Sequence, residues 1–228
     1  MNKLQQILQL YQNMGGKYFA FRAWYELRRR SGLLKSLFPV KPEQKTYLSM
    51  EHLSIGFVGK PRFKSVVNFA TVFCRSFPTY QFHFFGGPVG KDFESLRDYP
   101  NCHFHGFFIT PDDLTDIYSQ LDLVLSTYDV EFENVRYAEP NKLYEAIYFE
   151  TPIIVSKGTF LAEKTEELGV GYAIDPMSEE QVISFVKNVS IESITSKIEK
   201  EREIPTSYCI NSNKELFDRI AKIANIAQ

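Results

Sequence analysis

Residues 53–77 read LSIGFVGKPRFKSVVNFATVFCRSF, and this stretch decides the fold. Leu53 to Val58 is a short run that is apolar on both faces, and Gly59 ends it. From Phe63 onward Val66, Phe69, Ala70, Phe73 and Cys74 recur at helical spacing. A strand with no polar face, followed by an amphipathic helix, is the repeating unit of a parallel sheet whose crossover helices cover both sides.

The unit recurs along the chain. YQFHFFGG (80–87) reads as a second strand, with KDFESLRDY as a short helix behind it, and NCHFHGF (101–107) reads as a third. TPDDLTDIYSQL (110–121) opens with Thr-Pro and acids, as helix starts do, and leads into the strand DLVLST (122–127). After a polar loop, YDVEFENVRYAE, come a PNKLYEAIYFE helix, a PIIVS strand, a TFLAEKTEELG helix and a sixth strand, VGYAID (170–175). The expected fold is α/β: a Rossmann-like, doubly wound, parallel six-stranded sheet with a basic N-terminal helical extension and C-terminal helices. Residues 1–50 read as extension and linker, 51–190 as the sheet domain and 191–228 as C-terminal helices. Within that last part, residues up to Glu203 read as a polar stretch, and NKELFDRIAKIANIA (213–227) carries an apolar stripe.

Composition narrows the class. Hydrophobic residues make up 44% of 228 residues, enough for a sizeable core, and no run reaches the roughly 18 apolar residues of a membrane span. The expected compartment is the cytoplasm. Cys74, Cys102 and Cys209 lack metal or redox spacing and read as buried thiols. The four histidines form no metal pattern, and no metal or other cofactor is implied. Residues 1–45 hold nine Lys/Arg against two Asp/Glu, a net +7, while the remainder is net −9. The basic lead reads first as a docking helix and second as a helix lying on the inner face of a membrane. Nucleic-acid binding is disfavoured, because everything after it is acidic.

In an open parallel sheet, ligands bind beyond the carboxyl ends of the strands. After the first strand, Gly59 precedes Lys60, Arg62 and Lys64, three cations at a helix start whose dipole opposes them unless an anion joins them. After the second come Gly86 and Gly87, which permit either a tight turn or close approach to a ligand. After the third, Phe107 and Phe108 could flank a base or simply pack. Beyond the fourth, Glu139, Pro140, Asn141, Lys142 and Leu143 open the next helix, and Glu145 lies one turn past Lys142. Lysine and carboxylate on one side of that helix suit a phosphate beside a diol; an intrahelical salt bridge is the plain alternative.

These blocks, in the order GFVGKPRFKSVVNF, QFHFFGGP, NCHFHGFFITPDDLTDIYSQLDLVLSTY, EPNKLYEAIYFETPIIVS and ELGVGYAIDP, resemble the C-terminal, donor-binding domain of GT-B glycosyltransferases, family 4 above all. The resemblance covers Leu53 to Asn188. It implies binding of a nucleotide sugar such as a UDP- or GDP-sugar, with Lys60 and Lys64 (and Arg62 as a substitute) on the diphosphate and Glu145 on the ribose hydroxyls. It also implies transfer to an acceptor hydroxyl in surface polysaccharide or glycoconjugate synthesis, with no protein nucleophile and no metal. Two departures stand out. Lys60 replaces the usual arginine, and Tyr137 stands where the family's other carboxylate, eight residues before Glu145, would contact the sugar; Glu139 and Glu133 are its nearest substitutes. About 50 residues precede the first strand, too few for a second Rossmann layer, so a donor half working with a separate acceptor-binding subunit is expected. The alternative is a non-catalytic nucleotide-sugar-binding or docking module.

Overall fold

β1 (Ser54–Val58) lies at the centre of the sheet, where neither face can meet water. In this computed structural model, which describes residues 50–209 apart from Pro88, β1 pairs in parallel with β2 (Gln81–Phe85) and with β4 (Leu123–Ser126). β3 (Cys102–Gly106) adds outside β2, while β5 (Ile153–Ser156) and β6 (Gly171–Ile174) extend the other side, giving the order β3-β2-β1-β4-β5-β6. This is the six-stranded parallel, Rossmann-like sheet expected from the sequence. The described residues fall within the unit Val40–Gln228. The basic N-terminal helix expected within residues 1–50, apart from Met50, and the apolar-striped helix at 213–227 lie outside the described residues.

Alternate strand residues feed two apolar layers, as the two-residue period of a strand requires. Ile55, Phe57, Phe82, Phe84, Leu123, Leu125 and Ile154 point to one side. There they meet Phe69 and Phe73 of α1 (Lys64–Ser76), Val182 and Val186 of α6 (Glu179–Asn188), and Ile194 and Ile198 of α7 (Ile191–Glu203). Val58, Phe85, Val124, Ile153 and Val155 point to the other side. Those residues are covered by Ile117 and Tyr118 of α2 (Leu114–Ser119), Leu143 and Ile147 of α4 (Asn141–Tyr148), and Leu161 of α5 (Phe160–Leu168). Each fully buried side chain of this size stabilises the fold by about 2 kcal/mol before entropy is counted.

The helix boundaries have local causes. Thr159 caps α5 by accepting from the Ala162 amide at 3.1 Å, and Gly169, at φ 70°, closes it in the left-handed conformation. Ser190 and Ser193 form a reciprocal capping box at the start of α7. That helix occupies the stretch that reads as merely polar. Only Ile194, Ile198 and Glu201 of its thirteen residues are buried, so its apolar stripe is too thin to register in the sequence. Two other segments differ in kind: Lys91–Asp98 is 3-10 rather than α, and the polar loop after β4 contains the one-turn helix α3 (Glu133–Arg136). A last short helix, α8 (Thr206–Cys209), follows Pro205.

The strand order reverses between β1 and β4, since β2 lies on one side of β1 and β4 on the other. Loops leaving the carboxyl ends of these two strands therefore diverge, and the gap between them is where an α/β sheet takes its ligand.

Candidate functional site

Two glycines set the backbone at this edge. The Gly59 amide donates to the Phe85 carbonyl at 2.7 Å, and the Gly86 amide donates to the Gly106 carbonyl at 2.6 Å, so the turns after β1, β2 and β3 are tied together. At Gly86, φ is 127° and a Cβ would stand 2.0 Å from the Gly59 carbonyl oxygen, which excludes any side chain. Beside Gly87 lies the Phe107 ring, with its nearest atom 3.6 Å from where a Cβ would be. That ring is 79% exposed, whereas Phe108 turns inward against the second apolar layer. Of the two aromatics, Phe107 is the exposed one, beside the glycine turn after β2.

The helix start after β1 already holds an anion. The carboxylate of Asp129, only 6% exposed, accepts from the amides of Lys64 at 3.0 Å and Ser65 at 2.8 Å. Its loop is fixed by Ser156, whose hydroxyl donates to the Tyr128 carbonyl and accepts from the Tyr128 amide. Asp129 thus resolves the clash posed by Lys60, Arg62 and Lys64. A carboxylate from 65 residues downstream supplies the negative charge that the α1 dipole favours. The three cations remain exposed at the rim, with the Arg62 guanidinium 4.8 Å above the Phe63 ring.

The α4 start differs. Pro140 is its N-cap and brings no side-chain cap bond; its carbonyl accepts from the Leu143 amide at 3.2 Å, and among the described residues no side chain bonds the amides of Asn141 and Lys142. Lys142 reaches from here across the β1 turn, placing its Cε 3.8 Å from the point a Gly59 Cβ would occupy. Its Nζ donates to Glu145 Oε2 at 2.8 Å, and the buried Tyr118 hydroxyl donates to the same oxygen, also at 2.8 Å. The side chains of Lys142 and Glu145 are each 20% exposed. The salt bridge offered by their spacing is therefore formed, and it sits at the mouth of the crevice with Leu143 buried beneath it. Burial first, and the Glu145 charge second, push the Tyr118 ionisation well above that of a free phenol, so Tyr118 is a permanent donor.

Tyr137 and its acidic neighbours are exposed or already paired. Tyr137 is 68% exposed. Glu139 is held by Lys164 of α5 and by the Tyr144 hydroxyl, contacts that keep its carboxyl below the usual range. Glu133 sits on α3, exposed. Asn141 is exposed at the first position of α4. Tyr118 and Asp129 belong to the site yet carried no sequence signal beyond one apolar position in a helix and one acid in a polar loop. No cluster of three or more His, Cys, Asp or Glu suited to a metal occurs among the described residues. Cys74 and Cys102 are buried free thiols.

No protein-family model matches the chain, and no curated protein matches it in sequence. Solved structures do match. The C-terminal domain of a group 1 glycosyl transferase, LpcC from Francisella tularensis, superimposes with a TM-score of 0.50 at 16% identity, over 66% of this chain and 83% of that domain. The chain carries the fold of the C-terminal half of a GT-B glycosyltransferase. HepE from Anabaena, solved with UDP and glucose, matches with a TM-score of 0.55 at 15% identity over 86% of this chain and 51% of its own. WaaG, a glycosyltransferase of lipopolysaccharide biosynthesis, matches at 0.54 and 17% identity over 76% and 47%. The chain thus spans about half the length of the latter two. No helix among the described residues is long and apolar enough to cross a membrane.

Proposed function

We propose that the chain binds a nucleoside-diphosphate sugar at the carboxyl edge of its sheet and serves as the donor half of a glycosyltransferase. The observation that carries this is the Lys142–Glu145–Tyr118 group beside the side-chain-uncapped start of α4 and against the Gly59 turn. A diphosphate needs backbone amides and a cation. The α1 start has committed the Lys64 and Ser65 amides to Asp129, whose charge would repel a second anion there. That leaves the first-turn amides of α4 and Lys142 Nζ, with Lys60, Lys64 and Arg62 supplying longer-range positive potential from the rim. The Glu145 carboxylate accepts from the two ribose hydroxyls, and the base lies along Gly86, Gly87 and the exposed Phe107 face.

Chemically, such a site acts on the leaving group. As the bond from the sugar to the diphosphate breaks, negative charge grows on the phosphate oxygens, and the amides and lysines favour that charge more strongly than the ground state. The nucleophile is an acceptor hydroxyl brought from elsewhere, in keeping with a separate acceptor-binding subunit. Surface polysaccharide or glycoconjugate synthesis in the cytoplasm is the setting we favour, with the basic segment within residues 1–50 serving first to dock a partner and second to meet the inner membrane face. The second reading, a module that holds a nucleotide sugar without turnover, is favoured by one observation: Tyr137 brings no carboxylate, and Glu139 is committed to Lys164.

Calorimetric titration of UDP, GDP and their glucose and mannose derivatives tests the proposal. Binding to the wild type, weakened at least tenfold by Glu145→Ala and by Lys142→Ala, is expected. No heat at millimolar ligand would remove both readings. Binding with neither hydrolysis nor transfer of the sugar would leave the module.

A further inference from the structure

Glu145 has three rotatable side-chain bonds on a solvent-facing rim, yet ribose recognition requires its carboxylate at one position. Tyr118 shows how that position is set. Its ring is fully buried and stacks on Phe149, with centroids 4.7 Å apart at 12°. Core packing therefore fixes where the hydroxyl stands, 27 residues away in sequence from the carboxylate it meets. A buried phenol without an acceptor is costly, so Glu145 Oε2 is drawn to it. Lys142 donates to the same oxygen, and no contact among the described residues engages Oε1.

We infer that Tyr118 is a positioning residue for nucleotide recognition: its hydroxyl clamps Glu145 Oε2 so that Oε1 faces the ribose, leaving Lys142 free to move to the diphosphate. This inference rests on the proposed nucleotide site. The two donors on Oε2 have different roles. Lys142 is a partly exposed cation on a flexible stem, able to exchange a carboxylate for a phosphate at small cost. Tyr118 cannot leave, because its ring is locked in the core, and it stays protonated because burial and Glu145 oppose its ionisation. When a diphosphate draws Lys142 away, Tyr118 is what keeps the carboxylate from following.

The test is sugar selectivity rather than affinity alone. UDP and GDP, each with its 2′,3′-dideoxy counterpart, are titrated into wild type and Tyr118→Phe, a substitution that keeps the ring and its stack on Phe149. The wild type is expected to prefer the ribonucleotide about thirtyfold, a sum of two charge-assisted hydrogen bonds discounted for exposure. In Tyr118→Phe that preference is expected to shrink to about threefold, while affinity for the 2′,3′-dideoxy ligand stays within about twofold of wild type. Since the dideoxy ligand reports the intact diphosphate site, it also shows that the variant is folded. An unchanged preference, or an equal loss for both ligands, overturns the role of Tyr118 while leaving the nucleotide site standing. A wild type that binds neither diphosphate, or binds both sugars alike, overturns the site reading and the inference with it.

Discussion

Replacing Asp129 with alanine tests how the start of α1 is held. The carboxylate is 6% exposed and accepts from two amides, at 3.0 and 2.8 Å, at the head of a thirteen-residue helix that delivers Phe69 and Phe73 to the core. Losing a helix cap of this kind costs about 1–2 kcal/mol. Here the cap is charged and serves two donors, one on the fully buried Ser65, and each hydrogen bond to an ionised acceptor adds about 1.5–3 kcal/mol before the cavity refills with water. Allowing for that refilling, Asp129→Ala should lose about 3 kcal/mol. Asp129→Asn keeps one acceptor oxygen and should lose about half as much. In urea unfolding followed by circular dichroism, with a slope of about 2 kcal/mol/M, the alanine midpoint should fall by about 1.5 M. A shift below about 0.3 M for alanine, or equal shifts for both variants, would refute the account of the capped helix. The same alanine variant vacates an anion site beside Lys60 and Lys64, so inorganic phosphate should stabilise it more than it stabilises the wild type.

Two further outcomes are expected. Gly86→Ala places a Cβ against the Gly59 carbonyl at a positive φ, which should cost about 3 kcal/mol or more in urea unfolding and weaken nucleotide binding by shifting the turn under Lys142; Gly90→Ala, whose Cβ would have its nearest neighbour 4.0 Å away, should be neutral within about 0.5 kcal/mol in the same assay. Burial, then the neighbouring His103 and His105, lower the His83 pKa to about 4 from 6.5, so the unfolded chain takes up a proton that the folded chain refuses. Stability is unaffected above pH 6.5 and falls as pH drops from there to about 4. Halved for partial exposure, the loss between pH 7 and pH 5 is about 1 kcal/mol, and His83→Gln should abolish that share of it in paired denaturant titrations.

Legibility in the sequence followed the range of the interactions. The six strands were readable because runs such as Leu123 to Ser126 and Ile153 to Ser156 are buried along their whole length, a pattern that leaves little choice but a covered parallel sheet. The Lys142–Glu145 pair was readable because three-residue spacing on a helix fixes proximity. Asp129 was not, since its partners lie 64 and 65 residues away and meet it only when β1 and β4 become neighbours. Tyr118 is similar: its phenol reaches Glu145 only because α2 and α4 share one face of the sheet. The engagement of Glu139 by Lys164, 25 residues on, depends on α5 lying beside α4. Local geometry thus named the rim of the site, while the groups that fix it in place come from contacts that only the assembled sheet creates.

A crystal structure of the chain soaked or grown with UDP or GDP tests the central claim most directly. The account predicts the diphosphate on the first-turn amides of α4, with Lys142 Nζ moved from Glu145 to a phosphate oxygen, the ribose hydroxyls on Glu145 Oε1, and Asp129 still bound to the amides of Lys64 and Ser65. A diphosphate seated at the start of α1 with Asp129 displaced, or a nucleotide bound away from the carboxyl edge of the sheet, would contradict it.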